Sequence, residues 1–207
     1  MKVKIGIRSK TCILLIFGSL IILCIRIVPS FLTRSSEQKA IIEFYNNQYD
    51  NNDYNVIEET NLLDKSSTDT KNSRYDYIAT IKIPTINLER GLVSIDNTYN
   101  NVKYNIEILS SSSQDNIILA AHSGNASNAY FKDLSKLTIG DTVSLFYNNK
   151  EYKYNMVFTY DIEKTGKASL IKSTGKSTLT LITCRQNTNK QIIIVCELVE
   201  IKDINGL

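Results

Sequence analysis

Short runs in which apolar and polar residues alternate dominate the chain from about residue 77 onward. In Tyr77–Ile83 every second residue is apolar and falls on one face, which is the spacing of a half-buried β-strand. Further strands are predicted over Leu88–Ile95, Lys103–Ile108, Ile117–Ala121, Thr142–Tyr147, Glu151–Asp161, Thr178–Thr183 and Gln191–Ile201. A short helix is predicted over Asn128–Leu137, with Tyr130, Phe131 and Leu134 facing inward. Many short strands with few helices predict a closed or nearly closed β-barrel.

The pattern is different at the N-terminus, where residues 11–25 hold no charge and apolar residues continue past Arg26 to position 32. This run of 22 residues is long enough for a membrane span, which needs about 20. Four basic residues precede it and predict a cytoplasmic N-terminus. The alternative is a cleaved signal peptide, with residues 28–30 as a poor cleavage site. Both interpretations place the rest of the chain outside the cell, and the poor cleavage site favours the anchor.

A mostly polar segment separates this anchor from the β-rich region. Apolar residues at helical spacing predict a short amphipathic helix around Ser35–Tyr49. Residues 46–74 are rich in Asn, Asp, Ser, Thr and Lys and hold too few apolar residues to form a core. We therefore divide the chain into a cytoplasmic basic tail (1–10), a transmembrane anchor (11–32), an extracellular stalk (33–74) and a β-rich domain (75–207).

The composition fits this division and argues against a nucleic-acid-binding protein. Hydrophobic residues make up 43% of the chain, with 12 Tyr and 6 Phe, which is enough for a core. The net charge is +3, but residues 1–36 contain six of the 24 basic residues and no acidic one. The remainder therefore carries 18 basic against 21 acidic residues, so the folded part has no excess of positive charge for a nucleic acid.

Two residues at strand ends are candidates for covalent chemistry. Cys184 follows the predicted strand Thr178–Thr183, and His122, the one histidine of the chain, follows Ile117–Ala121. A thiol becomes a strong nucleophile when it loses its proton, and a nearby imidazole commonly takes that proton. The pair predicts nucleophilic thiol catalysis. The alternative, from these two residues alone, is a buried strand cysteine and an unrelated surface histidine.

Four segments around this pair resemble the sortases, the cell-surface cysteine transpeptidases of Gram-positive bacteria. Thr180–Cys184 (TLITC) resembles the family's TLxTC signature, and Ala120–Asn125 resembles its histidine segment. Ile81–Leu88 resembles the IxIPxIxL opening of its first strand, and Leu137–Val143 resembles its L-x-x-GD entry to a middle strand. The four segments occur in the family's order and cover the chain from about Tyr75 to its C-terminus.

The resemblance implies a sortase-like eight-stranded β-barrel with one or two short helices, preceded here by the N-terminal transmembrane helix. It implies that Cys184 attacks an LPxTG-like C-terminal sorting signal and forms a thioester. His122 then protonates the leaving amine and accepts a proton from the incoming one. The acceptor is an amine on a peptidoglycan precursor or on another surface protein. The short stretch before Cys184 favours a class A-like or class D-like short form.

The sequence departs from the family at one position. Sortases carry an arginine on the last strand that faces the cysteine, holds substrate and stabilises the tetrahedral oxyanion. Matching Val195–Val199 to the family's strand end puts Gln191 at this position, and sliding the match by one residue puts Lys190 there. A hairpin turn centred on residues 187 and 188 also makes Gln191 face Cys184, whereas a turn centred one residue later makes Ile193 face it.

Three interpretations of this departure remain open. Gln191 donates its amide N–H to the oxyanion, as amide side chains can. Alternatively, Arg185 or Lys190 reaches in from the loop, although strand alternation points Arg185 away from the cysteine. In the third interpretation the enzyme is slow or inactive.

The remaining cysteines are assigned no chemistry. In this register Cys196 lies near Thr180, several residues along the hairpin from Cys184, which is too far for a disulfide. We therefore expect Cys196 to be a buried strand residue. Cys12 and Cys24 lie in the predicted anchor and are interpreted as apolar filler.

No metal or other cofactor is predicted. Some class A sortases bind calcium near the barrel loops, and Asp96, Glu107 and Asp115 are the acidic residues to consider, but their spacing is not that of a ligand set. Two other functions are retained: a membrane-tethered cysteine peptidase that does not transfer, and a degenerate sortase-fold module that only binds peptides. A papain-like protease is disfavoured because its cysteine lies on a helix and precedes the histidine in sequence.

Overall fold

The computed structural model describes residues 18, 19, 21, 34–48, 73–110, 116–165 and 175–204. The chain forms two compact units, Met1–Lys39 and Ala40–Leu207. Apart from three positions, the predicted anchor at 11–32 lies outside the described residues. Among the residues that are described, no helix is both long and apolar enough to cross a membrane.

The second unit contains one eight-stranded sheet that wraps around the larger of two apolar clusters. Along the chain the strands are β1 (Tyr77–Ile83), β2 (Leu88–Val93), β3 (Glu107–Ser110), β4 (Asn116–Ala120), β5 (Thr142–Tyr147), β6 (Lys150–Glu163), β7 (Thr178–Cys184) and β8 (Lys190–Asp203). Their order in the sheet is β2-β1-β5-β6-β8-β7-β4-β3. Every neighbouring pair is antiparallel except β4 and β7, which are parallel. The predicted mostly-β, nearly closed barrel is confirmed.

The core is built from residues that alternate along the strands. Its members come from all eight strands, and those buried to 4% exposure or less include Ile81, Leu92, Ile108, Leu119, Leu145, Tyr154, Leu181 and Ile194. The predicted strand over Ile117–Ala121 is confirmed as an interior strand, since β4 lies between β7 and β3. Interior strands that are covered on both faces have continuous apolar sequences, which explains the composition of β4.

Two predictions were wrong in detail. The third strand begins at Glu107 rather than Lys103, because residues 102–104 form a turn. Asparagine side chains fix this region: the Asn101 side chain accepts from the N–H of Lys103 at 2.9 Å, and the Asn100 side chain accepts from the N–H of Ile108 at 2.8 Å. Such local side-chain bonds offer the backbone an alternative to the strand ladder.

The segment Asn128–Leu137 is not an α-helix but a series of turns that ends in a 3-10 helix over Leu134–Lys136. Its predicted inward-facing residues are nevertheless buried, with Tyr130 at 9% exposure and both Phe131 and Leu134 at 0%. The apolar residues therefore decide which side chains are buried, while the turns decide the backbone path.

Residues 34–48 are helical, which confirms the predicted amphipathic helix. Residues 40–48 belong to the second unit and pack on the barrel, where Ile41 and Phe44 are buried. The hydroxyl of Tyr45 lies 3.0 Å from that of Thr80 and donates to Glu89 at 3.0 Å. Burial raises the pKa of Tyr45 far above its ordinary value. Part of the segment predicted as a stalk is thus attached to β1 and β2.

Candidate active site

His122 and Cys184 lie at the same level, just beyond the ends of two parallel neighbouring strands. The last paired residues of β4 and β7 are Ala120 and Ile182, and the N–H of Ala121 still donates to the Ile182 carbonyl at 3.2 Å. His122 and Cys184 each lie two residues beyond that pair. Partners in a parallel ladder share a face, so Cys184, which still lies within β7, is on the face that carries Ala120 and Ile182. His122 is exposed and Cys184 is half-buried.

The backbone around His122 is held by three hydrogen bonds to consecutive carbonyls. The hydroxyl of Thr183 donates to the Ala121 carbonyl at 2.7 Å, and the N–H of Phe131 donates to the His122 carbonyl at 3.0 Å. The side-chain amide of Gln186 donates to the Ser123 carbonyl. Two of the three donors flank Cys184 in the sequence, so the cysteine segment and the histidine segment are fastened to each other.

Gln191 is the residue directly opposite Cys184 in the β7–β8 hairpin. The turn is centred on residues 187 and 188, where Asn187 adopts a left-handed conformation with a φ of 59°. The N–H of Arg185 donates to the Lys190 carbonyl at 2.9 Å and closes the turn. The register with Gln191 opposite the cysteine is confirmed. Directly opposed antiparallel residues have Cβ atoms about 4.5–5.5 Å apart, which brings the Gln191 side chain next to Cys184.

Arg185 has another partner, and Lys190 lies on another face. The Arg185 guanidinium donates two hydrogen bonds to Oδ1 of Asp161 in β6, from Nε at 3.0 Å and from Nη2 at 2.7 Å. Lys190 is exposed and pairs with Glu163 in the β6–β8 register, one residue before Gln191. Because side chains alternate along a strand, Lys190 and Gln191 point to opposite faces.

An apolar cluster adjoins Cys184 on its face of the sheet, and we call it the outer platform. Its buried members are Ile182, Ile193 and Val195, packed against Ile118, Ala120, Val157, Phe158, Tyr160 and Ile162. The Phe158 and Tyr160 rings stack with centroids 6.0 Å apart. Because Cys184 lies two residues after Ile182, its side chain shares this face and lies at the edge of the apolar cluster.

The second strand cysteine is separate from this site. Cys196 is opposite Leu179, one residue from the predicted partner Thr180, and both Cys184 and Cys196 are free thiols. Cys196 is fully buried in the barrel core, and burial raises the pKa of its thiol to about 12. It therefore stays protonated at neutral pH, as an apolar packing residue does.

The described parts of the chain contain no group of three or more His, Cys, Asp or Glu residues arranged to hold a metal ion. Among the acidic residues considered for calcium, Glu107 accepts a hydrogen bond from the N–H of Val102 at 3.1 Å. Asp115 lies outside the described residues.

Comparison with known proteins identifies the family. The Sortase domain model matches residues 81–199, which is more than half of the chain and includes both His122 and Cys184. The chain belongs to the sortase family. This sortase is 27% identical over 133 residues to sortase A of Bacillus anthracis, which covers 60% of this chain and 61% of that protein. Sortases are known as cell wall transpeptidases.

Solved structures of other sortases share the fold of this sortase. Listeria monocytogenes sortase A superposes with a TM-score of 0.53 at 23% identity, covering 64% of this chain and 99% of that one. A Clostridium perfringens sortase D5 transpeptidase superposes with a TM-score of 0.56 at 19% identity, covering 80% of this chain and 99% of that one. At these identities the likeness shows the fold alone.

Sequence reasoning did not find two residues of the site, Gln186 and Asp161. Gln186 is an exposed turn residue whose partner, Ser123, lies 63 positions earlier in the sequence. Asp161 lies on another strand, 24 positions before Arg185. No local pattern marks either residue, because each contact is made only when distant strands pair.

Proposed function

We propose that this sortase is a membrane-anchored cysteine transpeptidase that cleaves an LPxTG-like C-terminal sorting signal and transfers the protein to an amine. The observation that carries the proposal is the common level of His122 and Cys184 at the ends of parallel strands, beside the outer platform. The partly buried apolar residues of this platform, next to a nucleophile, fit a substrate segment that presents leucine and proline. The proposed acceptor is an amine of a peptidoglycan precursor or of another surface protein.

The proposed reaction has two halves. The Cys184 thiolate attacks the scissile carbonyl, the C–N bond breaks, and protonated His122 gives its proton to the leaving amine. The acyl group then remains on sulfur as a thioester. An incoming amine attacks this thioester and loses a proton to His122, and the sulfur leaves as thiolate. Both the proton and the thiolate are regenerated, so no cofactor is required in this scheme.

We assign oxyanion stabilisation to Gln191. Its position opposite Cys184 is the one the family's arginine occupies in the sequence match, and a side-chain amide can donate an N–H to a developing oxyanion. The contact between Arg185 and Asp161 favours Gln191 over Arg185 in this role. An amide carries no charge, so we expect weaker stabilisation than an arginine would give.

We place the catalytic domain outside the cell, with the N-terminus in the cytoplasm. What supports this is the uncharged run at 11–25 and the four basic residues before it. The class A-like or class D-like short form remains our proposal for the sortase class.

The test is mass spectrometry of the full-length protein in detergent, incubated with a library of LPxTG-like peptides and triglycine. We expect a thioester adduct on Cys184 and a triglycine-linked product, both lost in Cys184→Ala and His122→Ala. Cys196→Ala is the matched control, because it removes the other strand thiol and should keep the adduct. Hydrolysed product without triglycine incorporation would favour the tethered peptidase. Peptide binding without any adduct would favour the degenerate binding module.

A further inference from the structure

We propose that Gln186 is a positioning residue for His122, because its side-chain amide holds the Ser123 carbonyl against the turn that follows Cys184. The inference rests on the proposed function in one respect: it takes His122 as the group that moves the proton. Gln186 itself touches neither substrate nor the reacting atoms in this assignment.

The need for such a residue follows from where the strand ladder stops. The pairing of β4 with β7 ends with the bond from the Ala121 N–H to the Ile182 carbonyl. Beyond it the histidine segment enters a loop, while the cysteine segment stays paired with β8 as far as Cys184 and then enters the hairpin turn. His122 is therefore the first residue without ladder support on either side, and its exposed imidazole relies on its own backbone for position.

Side chains replace the ladder at this point. Thr183 donates to the carbonyl before His122, and this bond is buried between two strands that are already paired. Gln186 donates to the carbonyl after His122, and this bond joins a loop to a turn. Only the second bond restrains the far side of His122 to the cysteine segment, so its loss should free the loop.

The chemistry of the bond fixes which end of the Gln186 amide faces the loop. The partner is a backbone carbonyl, which only accepts, so the NH₂ end must point toward Ser123. Glutamate has the same shape as glutamine but, when ionised, offers only acceptors. Two acceptors then face each other, and the link between turn and loop becomes a repulsion.

A positioning residue should change the rate of the chemical step rather than substrate binding. Small displacements of a catalytic group lower the reaction rate strongly, and the loss of a hydrogen bond of this kind allows such displacements. We therefore expect kcat to fall with little change in KM. Since the chain has one histidine, the ring resonances of His122 also report its environment directly, without any turnover.

The experiment uses the full chain in detergent with isotope-labelled histidine. Gln186→Glu and Gln186→Met remove the donor, Gln186→Lys keeps an N–H donor of similar reach, and Asn189→Ala is a control in the same turn. We expect the first two variants to shift and broaden the His122 ring resonances and to lower kcat about tenfold with KM within about twofold. Gln186→Lys should recover most of kcat, and Asn189→Ala should match the wild type.

Unchanged ring resonances in both Gln186→Glu and Gln186→Met would overturn the inference, as would equal changes in Asn189→Ala. Thermal unfolding of each variant shows whether it is folded, and Gln186→Met serves if the added charge of Gln186→Glu prevents folding. If the wild type turns over no peptide, the proposed function fails, while the ring resonances still decide the positioning role.

Discussion

Cys184 and Gln191 lie directly opposite each other across the β7–β8 hairpin, on the face that carries the outer platform. The position that faces Cys184 is thus occupied by a neutral amide, and the nearby Arg185 is bound to a carboxylate on β6. In the proposed reaction, this arrangement reduces the positive charge available to the oxyanion. It keeps a hydrogen-bond donor where the oxyanion would form.

Gln191→Ala should lower kcat by about 10²–10³-fold, the range found when a single oxyanion donor is removed. Gln191→Glu should lower it at least as far, because a carboxylate repels the oxyanion, whereas Gln191→Arg should retain or raise activity. Steady-state peptide kinetics measure these effects. Lys190→Ala is the control, since Lys190 points to the opposite face. Wild-type kcat in Gln191→Ala would remove Gln191 from the oxyanion site.

Arg185→Ala and Asp161→Ala should each leave kcat within about twofold of wild type. The pair is partly exposed, with side-chain exposures of 39% and 30%, so its loss should lower the free energy of unfolding by less than about 1 kcal/mol. Urea unfolding and kinetics of both single variants and the double variant measure this. A tenfold loss in Arg185→Ala together with a gain in Asp161→Ala would instead show that Arg185 reaches the substrate.

Tyr45→Phe should destabilise the second unit by about 1–3 kcal/mol, because it removes the bond to the buried hydroxyl of Thr80 and one donor to the half-buried Glu89. We expect kcat to be unchanged, since these contacts lie on β1 and β2 while the site lies on β4, β7 and β8. Urea unfolding measures the loss, with Ile42→Ser as a control on the exposed side of the same helix. Equal stability of Tyr45→Phe and wild type would contradict the packing role.

Gly91→Ala should also destabilise the barrel, because the added Cβ would lie 2.2 Å from the ring of Tyr77. Relief of such a clash typically costs about 1–3 kcal/mol. Thermal unfolding measures it, and the double variant Gly91→Ala with Tyr77→Ala should show less than the sum of the two single losses. Strict additivity would mean that the ring moves away freely.

Acid should destabilise the protein partly through Asp141. The N–H of Thr138, at 2.7 Å, and the hydroxyl of Thr85, at 2.8 Å, donate to its carboxylate and hold the pKa of Asp141 below its ordinary 3.8. The stabilisation is therefore fully present above the unfolded-state pKa and is lost as pH falls through the folded-state pKa. Asp141→Asn should lose stability at neutral pH and show a flatter decline in acid, measured by urea unfolding across this range. An unchanged acid profile would show that Asp141 contributes nothing to it.

The sequence by itself determined the strands, because the alternation of apolar and polar residues is local and does not depend on the register in which the strands pair. It therefore predicted β1 to the residue and put Cys184 and His122 at strand ends. Its family motifs also predicted the eight-stranded barrel. The predicted start of the third strand was wrong because asparagine side chains hydrogen-bond to the backbone in this region. The alternation of apolar and polar residues does not indicate such bonds.

Only the tertiary structure decided which residues complete the site. The sequence left Gln191 and Ile193 as alternatives opposite Cys184, and the centre of one turn selects between them. The parallel pairing of β4 with β7 brings together residues 62 positions apart, and the Asp161 and Gln186 contacts depend on the same assembly. A hydrogen-bond partner so far along the chain leaves no trace in local composition, because it is set by which strands pair and in what register.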